Sequence, residues 1–118
     1  MRWLLSSPAF AMLIALCGAC GSPTSGKAAA TLWTEQCARC HGEDGRGDPR
    51  QLSLAPALDL TRSILVRRQA RGLIYQRITQ GYGSMPGFAH KLERGDVELL
   101  ILAAQAGEAI SRDSASNS

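Results

Sequence analysis

Five consecutive residues, Cys37-Ala38-Arg39-Cys40-His41, constrain this chain more than any other feature. On a helix, residues three and four apart share a face, so both thiols and the imidazole point the same way. Cys-x-x-Cys alone would suit a redox dithiol or half of a zinc site. Histidine directly after the second cysteine makes the pattern that of a c-type haem attachment site. Such a site needs two thiols that reach two vinyl groups and an imidazole that reaches iron.

Zinc is the competing reading. Cys17, Cys20, Cys37 and Cys40 have the spacing C-x2-C-x16-C-x2-C, within the range of a four-thiolate zinc ribbon. Against it, the first pair ends an apolar leader, where it is removed or acylated, and the second pair is followed by a histidine that four thiolates do not need.

The leader is legible from residue 1. Met1-Arg2 is a short positive start, Leu4 to Cys17 is apolar apart from Ser6, Ser7 and Pro8, and small residues follow. These are the parts of a secretory signal over residues 1–19, and the unbroken apolar run is short for a bilayer span. Cys17-Gly18-Ala19-Cys20 resembles a lipoprotein signal, which makes Cys20 a candidate lipidation site, although Cys17 stands where such signals usually carry leucine. Residues 20–27, rich in glycine and serine, are expected to be a flexible tether.

The 118 residues suffice for one small domain. With 45% hydrophobic and 19% charged residues, the chain is neither disordered nor a multi-span membrane protein. A net charge of +3 without a nucleic-acid-binding motif argues against nucleic acid as a partner.

Three helices are expected downstream. Lys27 to Arg39 is the first, with Ala29, Trp33 and Cys37 on one face and Gly42 as its stop. Arg71 to Thr79 is the second, with Leu73, Ile74 and Ile78 on one side and Gly81 as its stop. Arg94 to Ala106 is the third, with Val97, Leu100, Ile101 and Ala104 as its apolar stripe. Glu93 and Gly95 make a weak start for that helix. Between the first two, residues 50–62 alternate leucines but contain Pro56, so they predict an extended loop rather than a strand. Arg62, Arg67, Arg68, Arg71 and Arg77 form either a solvated basic face or a docking patch for an acidic partner.

The second informative stretch is Gly81-Tyr82-Gly83-Ser84-Met85-Pro86-Gly87-Phe88. Its three glycines and one proline describe a shaped loop around Met85, the only methionine after the leader. An iron held by His41 has room for a sixth ligand, and a thioether is soft enough to serve. Met85 is the favoured candidate and His90 the other.

With both stretches in place, residues 28–106 resemble the small monohaem cytochromes c of bacteria, the class I, His/Met-ligated kind. The resemblance rests on Cys37-x-x-Cys40-His41-Gly42, on the glycine-rich loop after it, on Ala55-Pro56-x-Leu58, and on Ile78-x-x-Gly81-x-x-x-Met85-Pro86-x-Phe88. It implies an all-α cytochrome c fold, three to four helices wrapped around one covalent haem c. Cys37 and Cys40 would carry the thioethers, with His41 and Met85 as iron ligands. Pro56 would offer its carbonyl to the other ring nitrogen of His41. The chain departs from the family where an aromatic on the last helix usually meets the first helix: it has only Leu99 and Ala103 there.

The implied function is one-electron transfer between larger redox proteins, by a carrier that is not itself an enzyme, or by a subunit of an oxidoreductase complex. A haem enzyme or sensor with a labile distal ligand is the alternative. Haem attachment outside the bacterial cytoplasm implies export to the periplasm, or to a periplasm-facing membrane surface of a Gram-negative cell if Cys20 carries lipid. Residues 107–118 are expected to be a disordered polar tail.

Overall fold

The computed structural model describes residues 21–106; the expected leader over 1–19, Cys17, Cys20 and the tail over 107–118 lie outside the described residues. Among the described residues five α-helices follow one another: α1 (Ala29–Gln36), α2 (Ala38–His41), α3 (Ile64–Arg67), α4 (Arg71–Gln80) and α5 (Arg94–Ala106). Two single 3-10 turns, Pro56–Leu58 and Leu60–Arg62, precede α3. Among the described residues there is no strand, so the all-α expectation holds.

Helix α5 is the spine, and both α1 and α4 pack on it. Its buried side is Val97, Leu100, Ile101 and Ala103, which meet Leu32 and Trp33 of α1, Ile74 of α4, and Phe88 and Leu92 of the intervening loop. Ala103 therefore takes the deep position expected for Ala104, and Leu99 is exposed. On α4, Ile74 is buried and Ile78 half-buried, whereas Leu73 turns largely to solvent. At 100° per residue, only one of the adjacent pair Leu73 and Ile74 can sit at the centre of the contact.

The first helix departs most from its expected form. Lys27 and Ala28 are outside it, and the ladder breaks at Cys37, where φ widens to −118°. The Cys37 N–H still donates to the Trp33 carbonyl at 2.8 Å, so the turn bearing the cysteines stays in register with α1. Gly42 ends α2 at φ 75°, as its position after the motif predicts.

Residues 22–25 do not form the free tether expected from their composition. The carbonyl of Pro23 accepts from the Gly95 N–H at 2.8 Å. Both the N–H and the hydroxyl of Ser25 donate to Asp96 Oδ1, each at 3.0 Å, and Asp96 Oδ2 accepts from the Glu93 N–H at 3.1 Å. The weak Glu93–Gly95 start of α5 is thus capped from outside by the strap at 22–25 and from within its first turn by Asp96 reaching back. A Cβ on Gly95 would collide with Thr24 and with the carbonyls of Pro23 and Ser22.

Candidate functional site

Cys37, Cys40 and His41 fall within one turn at the α1–α2 junction, where the Cys40 and His41 N–H groups both donate to the Cys37 carbonyl at 3.2 and 3.0 Å. Neither cysteine is in a disulfide; Cys37 is half-buried against the core and Cys40 is exposed. Burial, and then the neighbouring Cys40 sulfur, push the Cys37 thiol up to about 12. A thiol held protonated to that extent is a poor fit for a disulfide exchanger, which depends on a stabilised thiolate.

The loop after the motif folds back onto it. The His41 carbonyl accepts from Gly47 N–H at 2.7 Å and the Cys40 carbonyl from Asp48 N–H at 3.0 Å, so two carbonyls at the helix end are satisfied by backbone. Gly47 adopts φ 90°, and a Cβ there would run into the Leu52 side chain. Asp48 then organises the next turn. Its carboxylate accepts from the Arg50 guanidinium at 2.9 Å, from the Arg50 N–H at 3.0 Å and from the Gln51 amide at 3.0 Å. Those bonds, Arg50 foremost, hold its carboxyl down at about 2.

That turn brings Leu58 over the imidazole. His41 Nδ1 lies 2.8 Å from the Leu58 carbonyl oxygen. A carbonyl can only accept, so Nδ1 carries the proton and Nε2 of the neutral ring keeps its lone pair for a metal. The orienting carbonyl is therefore Leu58, not Pro56. Pro56 instead opens the 3-10 turn that ends at Leu58, and so positions the carbonyl two residues on. Trp33 supports the same corner: buried at 3% exposure, it donates Nε1–H to the Gly42 carbonyl at 2.9 Å, with its ring 6.1 Å from that of His41.

Met85 sits in a tight hairpin. Tyr82 and Met85 exchange both backbone hydrogen bonds at 3.0 Å, around a turn with Gly83 at φ 58°. Gly81 ends α4, and a Cβ there would meet the Met85 carbonyl at 2.7 Å. Beyond the hairpin, Phe88 N–H donates to the Ile78 carbonyl at 2.8 Å, fastening the loop to the end of α4. Arg77 adds a lid, its guanidinium 3.8 Å from the centre of the Tyr82 ring. Met85 is half-buried against the core, whereas His90 is exposed on the following turn.

The family model of cytochrome c oxidase, cbb3-type, subunit III matches residues 24–102. The chain belongs to this family. No curated protein and no solved structure matches the chain. A c-type cytochrome domain of this family carries covalently bound haem c with its iron, and serves haem-based electron transfer. The residues present fit that group: two unpaired thiols and an imidazole with Nε2 free stand on one helical turn. When bound, the haem iron supplies a ferric/ferrous couple. The matched span takes in the strap at 24–25 and stops four residues before the end of α5.

Sequence reasoning missed several supporting residues. Asp48-Pro49 reads as part of a loop in the sequence, but that signal does not reveal the carboxylate's bonds to Arg50 and Gln51. Leu58, Asp96 and the Arg77–Tyr82 stack had no local signal of their role, because each acts on a distant part of the chain or across a turn.

Proposed function

We propose that this chain is a monohaem one-electron carrier in which Cys37 and Cys40 would hold the macrocycle, and His41 Nε2 and Met85 Sδ would be the iron ligands. The observation that carries the reading is the Leu58 carbonyl on His41 Nδ1, which fixes the ring tautomer and orientation as partners of metal-bound histidines do. The hairpin around Met85 supports it, since a ligand on a stiff loop changes position little between redox states. With His41 and Met85 both given to the iron, the group would supply electron exchange, and substrate or oxygen would have to displace Met85 to bind it.

The leader-like start of the sequence supports a carrier in the periplasm, or, if Cys20 is acylated, on a periplasm-facing membrane surface of a Gram-negative cell. Its partners are larger redox proteins, between which it shuttles electrons. The family's name makes a terminal-oxidase complex the natural setting, whether the chain visits such a complex or forms part of it. Equilibrium redox titration of the haem-loaded full chain tests the reading. It should follow a single one-electron wave, at a potential raised by the thioether. Two waves, or a low potential typical of an open or bis-histidine site, would contradict it.

A further inference from the structure

We infer that the groove between α4 and α5 is the face the protein lays on the membrane, with Arg71 and Arg94 taking the phosphate groups of anionic lipid headgroups. The inference rests on acylation of Cys20 and adds an orientation to it. The strap decides the geometry. Ser22 Oγ donates to Glu98 Oε1 at 3.3 Å, and Pro23 and Ser25 are bonded to Gly95 and Asp96. Two residues of chain reach at most about 7 Å, so an acyl group on Cys20 enters the bilayer beside Ser22 and the first turns of α5. A tether free over residues 20–27 would have let the domain tumble; the fastened strap leaves only Gly21 between the anchor and the fold.

The groove at that place suits a headgroup layer. It is a shallow, largely open groove of about 540 Å³, lined by Arg71, Tyr75, Arg94, Glu98, Ile101 and Leu102, among others. Leu102 is 49% exposed, and Arg71 and Arg94 are exposed at the mouth. Exposed Leu102 and half-buried Tyr75, flanked by arginines, suit an interfacial surface: the side-chain stems lie along the acyl boundary and the guanidinium heads reach phosphate. Among the described residues Glu98 is the one acidic side chain lining the groove, and it is already occupied by Arg94 Nε at 3.3 Å and by Ser22.

The test uses the full chain exported in a host that attaches haem. Mass spectrometry of the mature protein reads the anchor first. A released chain without an acyl group fails the Cys20 reading and overturns the inference with it. For the acylated protein, hydrogen–deuterium exchange is compared in vesicles of phosphatidylcholine and in vesicles containing phosphatidylglycerol. Peptides covering 71–75 and 94–102 should exchange more slowly in the anionic vesicles, because the arginines are drawn to the anionic surface. Arg71→Gln with Arg94→Gln should abolish that difference, while the charge-matched pair Arg46→Gln with Lys91→Gln should keep it. Equal exchange in both vesicles, or protection centred on another face such as 82–89, would overturn the proposal and leave the acyl anchor standing.

Discussion

His41 Nδ1 and the carbonyl of Leu58, 17 residues apart in the chain, stand 2.8 Å from each other. The contact depends on the loop between them. Gly47 and Asp48 tie the loop to the carbonyls of His41 and Cys40, Leu60 N–H donates to the Gly45 carbonyl at 2.8 Å, and the Pro56–Leu58 turn presents the oxygen. The orientation of the imidazole is thus a property of the whole segment from 42 to 60.

Gly47 is the most exposed weakness of that segment. An alanine there must take φ 90° and push against Leu52. Gly47→Ala should lower stability by about 1–2 kcal/mol from the backbone conformation alone, with the clash adding to it. The denaturation midpoint of the haem-loaded protein measures this, and an unchanged midpoint would show that the loop does not depend on glycine.

Met85→Ala should leave haem covalently attached while lowering the potential and opening the iron to added imidazole or cyanide. Redox titration and ligand-binding spectra check both effects. A variant with the parent's potential and no ligand uptake would remove Met85 from the site.

Arg77→Ala removes the cation above Tyr82 at the base of the Met85 hairpin. An exposed cation–π contact contributes about 0.5–1 kcal/mol. The variant should therefore bind added imidazole a few-fold more tightly than the parent, as the hairpin opens more readily. Identical affinities in a spectrophotometric titration would deny the stack any part in holding the loop.

Acid stability should depend on two carboxylates. Asp48 is held at about 2 against an ordinary 3.8. Asp96 is 1% exposed; burial would raise it, but the Ser25 and Glu93 bonds outweigh burial and lower it. Both folded-state values lie below the unfolded ones, so their contribution is complete above the ordinary carboxylate range and is lost as pH falls through the folded values. Asp96→Asn should cost about 1–3 kcal/mol at neutral pH, the weight of charge-assisted bonds to a buried group. Asp48→Asn should flatten the decline in thermal midpoint below pH 3.8. If both variants keep the parent's acid profile, these bonds do not govern it.

Much of this architecture was readable in advance because it is local. Residues three and four apart report their own face, so α4 and α5 and the Gly42 and Gly81 stops follow from periodicity and chain breakers. The candidate ligands are likewise proposed from local chemistry: a thiol pair with histidine, and a lone methionine among glycines. What stayed hidden is long-range. Nothing near Ser25 announces Asp96, 71 residues away, so a Gly/Ser-rich strap reads as a tether. The family resemblance assigns the orienting carbonyl to Pro56, yet the turn Pro56 begins delivers the carbonyl of Leu58. The break at Cys37 is equally silent, since Ala-rich sequence on one side and the motif on the other both favour helix.

The most direct measurement is the visible spectrum, oxidised and reduced, of the full chain exported in a haem-attaching host. Ligation by His41 and Met85 gives sharp c-type bands on reduction and a weak far-red sulfur-to-iron band in the ferric protein. A haem spectrum without that far-red band would contradict Met85 as the sixth ligand, and a colourless protein would contradict haem attachment at Cys37 and Cys40 altogether.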